Sequence, residues 1–166
     1  MGVPERLVEE QRAVEAEIRR AFRGVTREGG VSWSEADVVD DYGTDEERAA
    51  ARARDKESCW EELVEDGAIH LGSTRFCFLD AIGFRYYIAP AMILLARGAD
   101  DYVCQLTFRV DGPHGEAQVG LLNVEQRGVV ARFLRFMMKV EEGRGDLDQV
   151  RKWGEVLEMY WGQREV

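Results

Sequence analysis

Residues 83–98 read GFRYYIAPAMILLARG, a stretch that combines a glycine, an arginine among aromatic residues, a proline and an apolar run. Between positions 84 and 88, large apolar residues at every second position alternate with Arg85 and Tyr87, which predicts a β-strand. Arg85 and Tyr87 then lie on the face opposite the core. Because Arg and Tyr contribute strongly to protein interfaces, both are candidate partner-binding residues.

The flanking residues predict a hairpin before this strand and a helix after it. Residues 75–79 (RFCFL) form a second β-rich run, and Asp80 and Gly83 suit the first and fourth positions of a type I turn. We therefore expect an antiparallel β-hairpin over 75–88. Pro90 suits the first turn of a buried helix, which Gly98 ends.

Further strands are indicated by the alternation that follows. Residues 102–110 (YVCQLTFRV) place apolar side chains on one face and polar side chains on the other, as in a half-buried strand. Residues 111–116 then read as a loop, and residues 117–122 (AQVGLL) as a partner strand. Together with the hairpin, these runs predict a small antiparallel sheet of three to five strands.

Helical patterns lie on both sides of the predicted sheet. Spacing and capping residues predict helices over 4–23, weakly over 34–41, from Thr44 onward, and over 58–66. Asn123 with Gln126 begins a long helix that reaches about Glu142, and Asp146 begins a last one. The chain is thus predicted to be a helix-rich α+β protein, a single domain over 1–166 with terminal helices flanking the sheet.

Charge is unevenly distributed along the chain. The sequence carries 22 Lys and Arg against 32 Asp and Glu, a formal net charge of −10, and residues 28–47 hold eight acidic residues and no basic one. Asp40, Asp41, Asp45 and Glu46 are therefore candidates for docking a basic protein partner. An acidic surface repels phosphates, so we expect binding to neither nucleic acid nor an anionic membrane.

The sequence contains none of the motifs for nucleotide binding, nucleophilic catalysis or calcium binding that were considered. The chain has no glycine-rich phosphate loop and no G-x-S-x-G elbow, and its two histidines, His70 and His114, are far apart. The acidic stretch fails as a calcium loop, because Val38 and Ala49 would occupy positions one and twelve, which require oxygen ligands. We expect no catalytic residue, no metal and no cofactor.

The cysteines and the N-terminus indicate a compartment. Cys59, Cys77 and Cys104 are widely spaced and odd in number, as expected of reduced, mostly buried thiols. The N-terminus is charged and amphipathic, without the apolar region of a signal peptide. No apolar stretch approaches the roughly 20 residues that span a bilayer. A cytoplasmic location follows as the expectation.

Three segments together resemble a known family. They are WEEL at 60–63, GFRYYIAPAM at 83–92, and a helix opened by Gln126 that contains Phe133-Leu134. They are similar to a family of small bacterial proteins, a domain of unknown function whose centre reads approximately GFRYYLPAYM. Here Ala89 is inserted before Pro90. The resemblance covers roughly residues 10 to 140; it implies a bacterial cytoplasmic origin and no catalytic residue.

We predict a non-enzymatic cytoplasmic protein-binding domain, one version being an immunity or antitoxin-like protein that neutralises a basic effector. One alternative is a small-molecule-binding domain or enzyme with a pocket beside the 75–88 hairpin, in which Arg85 is exposed. Another is a structural subunit of a homo-oligomer. Its interface would be formed by Trp153, Tyr160 and Trp161.

Overall fold

The computed structural model describes residues 2–65, 73–99 and 105–162, and every regular element within these ranges is helical. The α-helices there are α1 (Val8–Ala21), α2 (Trp33–Asp40), α3 (Asp45–Arg52), α4 (Trp60–Glu65), α5 (Ser73–Cys77), α6 (Ala81–Ala96), α7 (Gly112–Gln118), α8 (Val124–Arg144) and α9 (Leu147–Val156). Short 3-10 turns span Glu5–Leu7 and Gln105–Phe108, and a π-helical turn spans Leu157–Trp161. No helix among these residues is long and apolar enough to cross a membrane.

The predicted antiparallel sheet, and with it the α+β class, is wrong. Residues 75–77 of the first expected hairpin arm belong to α5, and the second arm belongs to α6. Residues 112–116 of the expected loop and residues 117–118 of the expected partner strand belong to α7, whereas residues 119–121 form a turn. Residues 105–108 of the expected 102–110 strand form a 3-10 turn, whereas residues 102–104 lie outside the described ranges. Within those ranges the fold is all-α.

Helix α6 forms because its first residues are capped and its side chains are buried on most sides. Oδ1 of Asp80 accepts a hydrogen bond from the N–H of Gly83 at 2.8 Å, which makes Asp80 an N-cap. Side chains on both of the faces that an alternating strand would have are buried, including Tyr86 and Tyr87. The helix continues through Pro90, which has no N–H to donate to the carbonyl of Tyr86.

The core is built around α6, which packs against α1, α4, α7 and α8. One aromatic cluster links α6 to α2 and α5, with ring centroids 5.2 to 6.0 Å apart; it contains Trp33, Phe76, Phe84 and Tyr87. A second cluster joins α8 and α9 to the 3-10 turn Gln105–Phe108; it contains Phe108, Phe133 and Trp153. These contacts make α6 the central helix of the described residues.

The loop before α2 crosses the start of α6 so closely that the backbones of the two segments nearly touch. The N–H of Val31 donates to Oδ1 of Asp80 at 3.0 Å. A Cβ added to Gly83 would lie 2.4 Å from the carbonyl oxygen of Val31, and one added to Gly30 would lie 2.6 Å from Cγ2 of Ile82. The two segments can approach this closely only because both positions are glycine.

The helices predicted on both sides of the sheet are confirmed, together with their caps. Thr44 and Glu47 exchange hydrogen bonds at 2.7 and 3.2 Å at the start of α3, and Asn123 and Gln126 do so at 2.8 and 3.1 Å at the start of α8. Asp146 accepts from the N–H of Gln149 and so begins α9. Each cap is local in sequence, which is why it could be recognised there.

Candidate functional site

Helices α2 and α3 are held together by one buried carboxylate. Glu35 is only 3% exposed, and it accepts hydrogen bonds from Nε of Arg48 at 3.1 Å and from Nε and Nη2 of Arg52 at 3.0 and 2.8 Å. Nη2 of Arg52 also donates to the carbonyl oxygen of Gly30 at 2.8 Å. These bonds fix α3 against α2 and against the loop that precedes α2.

Glu35 is ionised in this setting. Burial opposes its ionisation, but hydrogen bonds from the backbone N–H of Ser32 and from Arg52 outweigh that effect, so the pKa of Glu35 lies below its ordinary value of 4.5. Arg48 and Arg52 therefore form their ion pairs with Glu35. They form none with the carboxylates on the nearby surface of the described residues.

Five exposed residues lie where α2 ends and α3 begins, and we call them the acidic face: Asp40, Asp41, Tyr42, Asp45 and Glu46. The four carboxylates are those singled out in the sequence, and the structure brings them onto two adjoining helix ends. Their side chains make no hydrogen bond or ion pair with any described residue. The acidic face is therefore a local concentration of unpaired negative charge.

The two ends of the acidic face differ in electrostatics. Asp45 and Glu46 lie in the first turn of α3, where the helix dipole stabilises negative charge. Asp40 is the last residue of α2 and Asp41 is its C-cap, where the same dipole disfavours a carboxylate, and no basic residue lies in that last turn. Helix structure thus explains the acids of α3 but not those of α2.

Tyr42 occupies a backbone position that suits glycine. Its φ is +54°, its N–H donates to the carbonyl of Val39 at 3.2 Å, and the N–H of Gly43 donates to the carbonyl of Val38 at 2.8 Å. This is a Schellman motif, and Tyr42 holds the left-handed position that is usually Gly or Asn. The side chain is 96% exposed and so gains no packing in return.

An open cavity of about 370 Å³ lies beside Tyr42. It is lined by Val38, Asp41, Gly43, Glu47, Ala50 and Arg54. The apolar side chains of Val38 and Ala50 contribute to the lining together with charged groups, a composition that suits a partner side chain with an apolar stem and a charged head.

The other two candidates from the sequence, Arg85 and Tyr87, are not part of the acidic face. Tyr87 is fully buried; its hydroxyl accepts from the N–H of Trp33 at 2.9 Å and donates to Oε1 of Glu57 at 3.2 Å. Burial and the charge of Glu57 raise the pKa of Tyr87. Arg85 is half-buried on α6, and its Nε is buried with no hydrogen-bond partner among the described residues. The structure places Tyr87 in the core.

A smaller cavity of about 120 Å³ lies between α5, the turn Gln105–Phe108 and α7. Phe76 and Cys77 line it, but Arg85, which was expected to be exposed in a pocket beside the 75–88 segment, is not among its lining residues. Cys77 is exposed and Cys59 is half-buried, in contrast with the expectation of mostly buried thiols. Cys104 and His70 lie outside the described ranges.

The aromatic residues expected at a homo-oligomer interface mostly pack within the chain itself. Trp153 is buried, and buried Trp161 donates from Nε1 to the carbonyl oxygen of Phe108 at 2.8 Å. Tyr160 is half-buried, with its ring 5.7 Å from the guanidinium carbon of Arg127. These side chains stabilise the fold around α8 and α9.

Tyr42 is not among the candidate residues that the sequence indicates, although a signal for it is present. It is an aromatic residue between two pairs of acids, followed directly by a glycine, in a stretch that has few other apolar side chains. An aromatic residue in such a polar setting has no core to enter. The backbone conformation that makes Tyr42 unusual is visible only in the structure.

Comparison with known proteins gives a family but no activity. Residues 10–165 match the family described as "Family of unknown function (DUF6714)". No curated protein and no solved structure matches the chain. The matched range includes the acidic face, α6 and both cavities, and it attaches a role to none of them.

Proposed function

The chain belongs to this family, DUF6714, and from that premise we propose that it is a protein-binding domain that captures a basic partner through its acidic face. The observation that carries the proposal is the run Asp40-Asp41-Tyr42. Each of these residues is exposed, and each weakens the end of α2.

A residue that violates a local rule of structure, without compensation from its contacts, is a sign of a functional site. Carboxylates at the end of α2 oppose the helix dipole, and a tyrosine in the left-handed region costs about 1 kcal/mol or more relative to glycine. None of the three side chains makes a hydrogen bond or ion pair with any residue in 2–65, 73–99 or 105–162. Their presence is explained if a partner supplies the missing contacts.

The chemistry of the acidic face specifies the partner. Unpaired carboxylates bind Lys and Arg, and the Tyr42 ring offers a surface on which a guanidinium can stack. Tyr is enriched among the residues that dominate interface energies. A net charge of −10 would also speed the encounter with a positively charged protein at low salt.

Within this proposal the partner is a basic protein of the cytoplasm, and the domain acts without catalysis. Cys59 and Cys77 are thiols, as in a reducing compartment. The more specific version is neutralisation of a basic toxic effector by covering its positive surface. Its support is the negative charge of the acidic face, and it adds the expectation that binding abolishes the effector's activity.

The test is quantitative co-purification from an extract of the source cells. The variant D40N/D41N/Y42G removes the two carboxylates at the end of α2 and the tyrosine in the left-handed conformation. The control is E116Q/E142Q, because both glutamates are exposed and make no ion pair with a described residue. We expect the first variant to recover about tenfold less of a basic partner, and the control to match the original protein. Capture should also fall as salt rises.

Equal recovery by both variants would remove the acidic face from the function. Loss of capture in the control as well would indicate a general charge effect in place of a site. Because D40N/D41N/Y42G is expected to be more stable than the original protein, its loss of binding could not be ascribed to unfolding.

A further inference from the structure

The cavity beside Cys77 is separate from the acidic face and is not used in the proposed function. We propose that it binds the carboxylate or phosphate group of a small molecule. The residues on which the proposal depends are Cys77, Thr107, Arg109, His114 and Gln118, all of which line the cavity. A volume of about 120 Å³ compares with roughly 30 Å³ per water molecule in the liquid, which leaves room for a single oxyanion group.

Thr107 supplies an unused hydroxyl. The residue is 7% exposed, and its Oγ1 is buried with no hydrogen-bond partner among the residues that the structure describes. A buried hydroxyl without a hydrogen bond loses free energy relative to one in water. A ligand oxygen that reached this hydroxyl would accept a hydrogen bond from it and restore that loss.

Arg109 supplies unused N–H donors and positive charge. A guanidinium has five N–H donors in a planar fork that matches carboxylate and phosphate oxygens. Among the described residues, Arg109 makes one hydrogen bond, from Nη2 to Oδ2 of Asp111 at 3.3 Å. The carboxylate of Asp111 also lines the cavity. The side chain of Asp111 is 72% exposed and that of Arg109 48%, so solvent screens this ion pair, and the N–H donors of Arg109 that it does not use are available to an anion.

The wall of the cavity is held in place by two side chains of α7. Nε2 of His114 lies 3.1 Å from the carbonyl oxygen of Cys77, and Nε2 of Gln118 donates to the carbonyl oxygens of Phe76 and Leu79. A carbonyl only accepts, so this hydrogen bond requires a proton on Nε2 of His114. These bonds fix α5 against α7 before any ligand arrives, which lowers the entropic cost of binding.

The first experiment uses two alkylating reagents of nearly equal shape, iodoacetate and iodoacetamide, of which only the first carries a carboxylate. In both cases the thiolate sulfur attacks the CH₂ carbon, a C–S bond forms as the C–I bond breaks, and iodide leaves. Cys77 is exposed at the cavity, whereas Sγ of Cys59 lies 3.8 Å from the carboxylate of Glu62 and provides an internal control. Peptide mass spectrometry gives the rate at each cysteine.

We expect the ratio of the iodoacetate rate to the iodoacetamide rate at Cys77 to be about tenfold higher in the original protein than in the variant R109Q. The variant R109K should restore part of it. The ratio at Cys59, which the carboxylate of Glu62 lowers in every variant, should stay the same. An unchanged Cys77 ratio in R109Q, or an equal change at Cys59, would overturn the proposal. Arg109 is exposed, so its variants should fold, and their circular dichroism spectra check this.

The second experiment distinguishes the two oxyanions. Acetate and inorganic phosphate are each tested for protection of Cys77 against neutral iodoacetamide, with sodium chloride at matched ionic strength as the control. Protection by one anion identifies the group that the cavity takes, and protection by both supports their shared chemistry. T107V should raise the concentration needed for half protection several-fold. No protection beyond chloride, or no effect of T107V, would overturn the site.

Discussion

The hydroxyl of Tyr87 accepts a hydrogen bond from the backbone N–H of Trp33 at 2.9 Å, which joins the middle of α6 to the first residue of α2. The same hydroxyl donates to Oε1 of Glu57, which also accepts from Nε of Arg27 at 2.8 Å. Three segments distant in sequence therefore meet at one buried oxygen. Tyr87, which the sequence indicates as a candidate for partner binding, therefore joins elements of the N-terminal half of the fold.

Replacing Tyr87 with Phe should lower the free energy of unfolding by about 1–3 kcal/mol, because the N–H of Trp33 would be buried without a partner. Urea denaturation measures the change. Tyr86→Phe is the matched control, since the Tyr86 hydroxyl makes no hydrogen bond to a described residue, and we expect a change within about 0.5 kcal/mol there. Similar losses in the two variants would contradict the role assigned to Tyr87.

Replacing Tyr42 with Gly should raise the free energy of unfolding by about 1 kcal/mol, because glycine adopts a φ of +54° without the Cβ penalty. Thermal denaturation measures the shift. The neighbouring variant Gly43→Ala should be destabilised, since its Cβ would lie 2.4 Å from Cγ1 of Val38. A less stable Tyr42→Gly protein would show that Tyr42 makes a stabilising contact after all.

Replacing Glu35 with Gln should destabilise the protein at neutral pH by about 1–3 kcal/mol, because Arg48 and Arg52 lose the charge that they bind. The pKa of Glu35 is lowered on folding, so its stabilising contribution is fully present above its ordinary pKa of 4.5 and is lost as pH falls through the lower folded value. Chemical denaturation from neutral pH downward should therefore show the original protein and the variant converging in acid. A constant difference would contradict the assignment.

Two glycine-to-alanine variants should have opposite effects. Gly128 lies exposed inside α8 with nothing within 4 Å of an added Cβ, so Gly128→Ala should stabilise the protein by about 0.5–1 kcal/mol through helix propensity. Gly83→Ala should destabilise it by about 1–3 kcal/mol, because the Cβ would overlap the carbonyl oxygen of Val31. Urea denaturation of both proteins tests the backbone crossing directly, and equal effects would argue against it.

The helices with polar caps could be predicted because their signals are local. Thr44 with Glu47 and Asn123 with Gln126 each bind the backbone of their own first turn, and the residue types alone indicate this. The second half of α6, from Pro90, is predicted as a helix from its proline and its terminal glycine, but the first half of α6 could not be predicted in the same way. It is buried on most sides, so no polar face reveals a period of 3.6 residues, and its aromatic and β-branched residues favour a strand.

The sequence predicts a type I turn at the start of α6, and the reason that this prediction is wrong is geometric. The first turn of a helix has nearly the backbone angles of a type I turn, so Asp80 followed by Gly83 suits both structures. The choice depends on whether the next residues continue the helix, and tertiary packing decides that. Likewise, the glycines and proline at 112–115 read as a loop, yet α7 begins there with Pro113 in its first turn.

The residues of the candidate site also differ in how far the sequence could predict them. The carboxylates of the acidic face could be found because charge density is a property of a short segment. Tyr42 could not be singled out by its conformation, because its φ is set by the way α2 ends. Tyr87 was misplaced because the prediction gave its segment one exposed face, whereas α6 is covered on both sides.

The hydrogen bond from Val31 to Asp80 also constrains the order in which the chain can fold during synthesis. It spans 49 residues, and the same carboxylate oxygen caps α6. A nascent chain that has emerged only as far as α3 has no acceptor for the N–H of Val31 and no α6 for α1 to pack against. The contacts that α1 and α2 make with α6 therefore form only after residues 80–96 have left the ribosome, so this part of the fold cannot be completed earlier in synthesis.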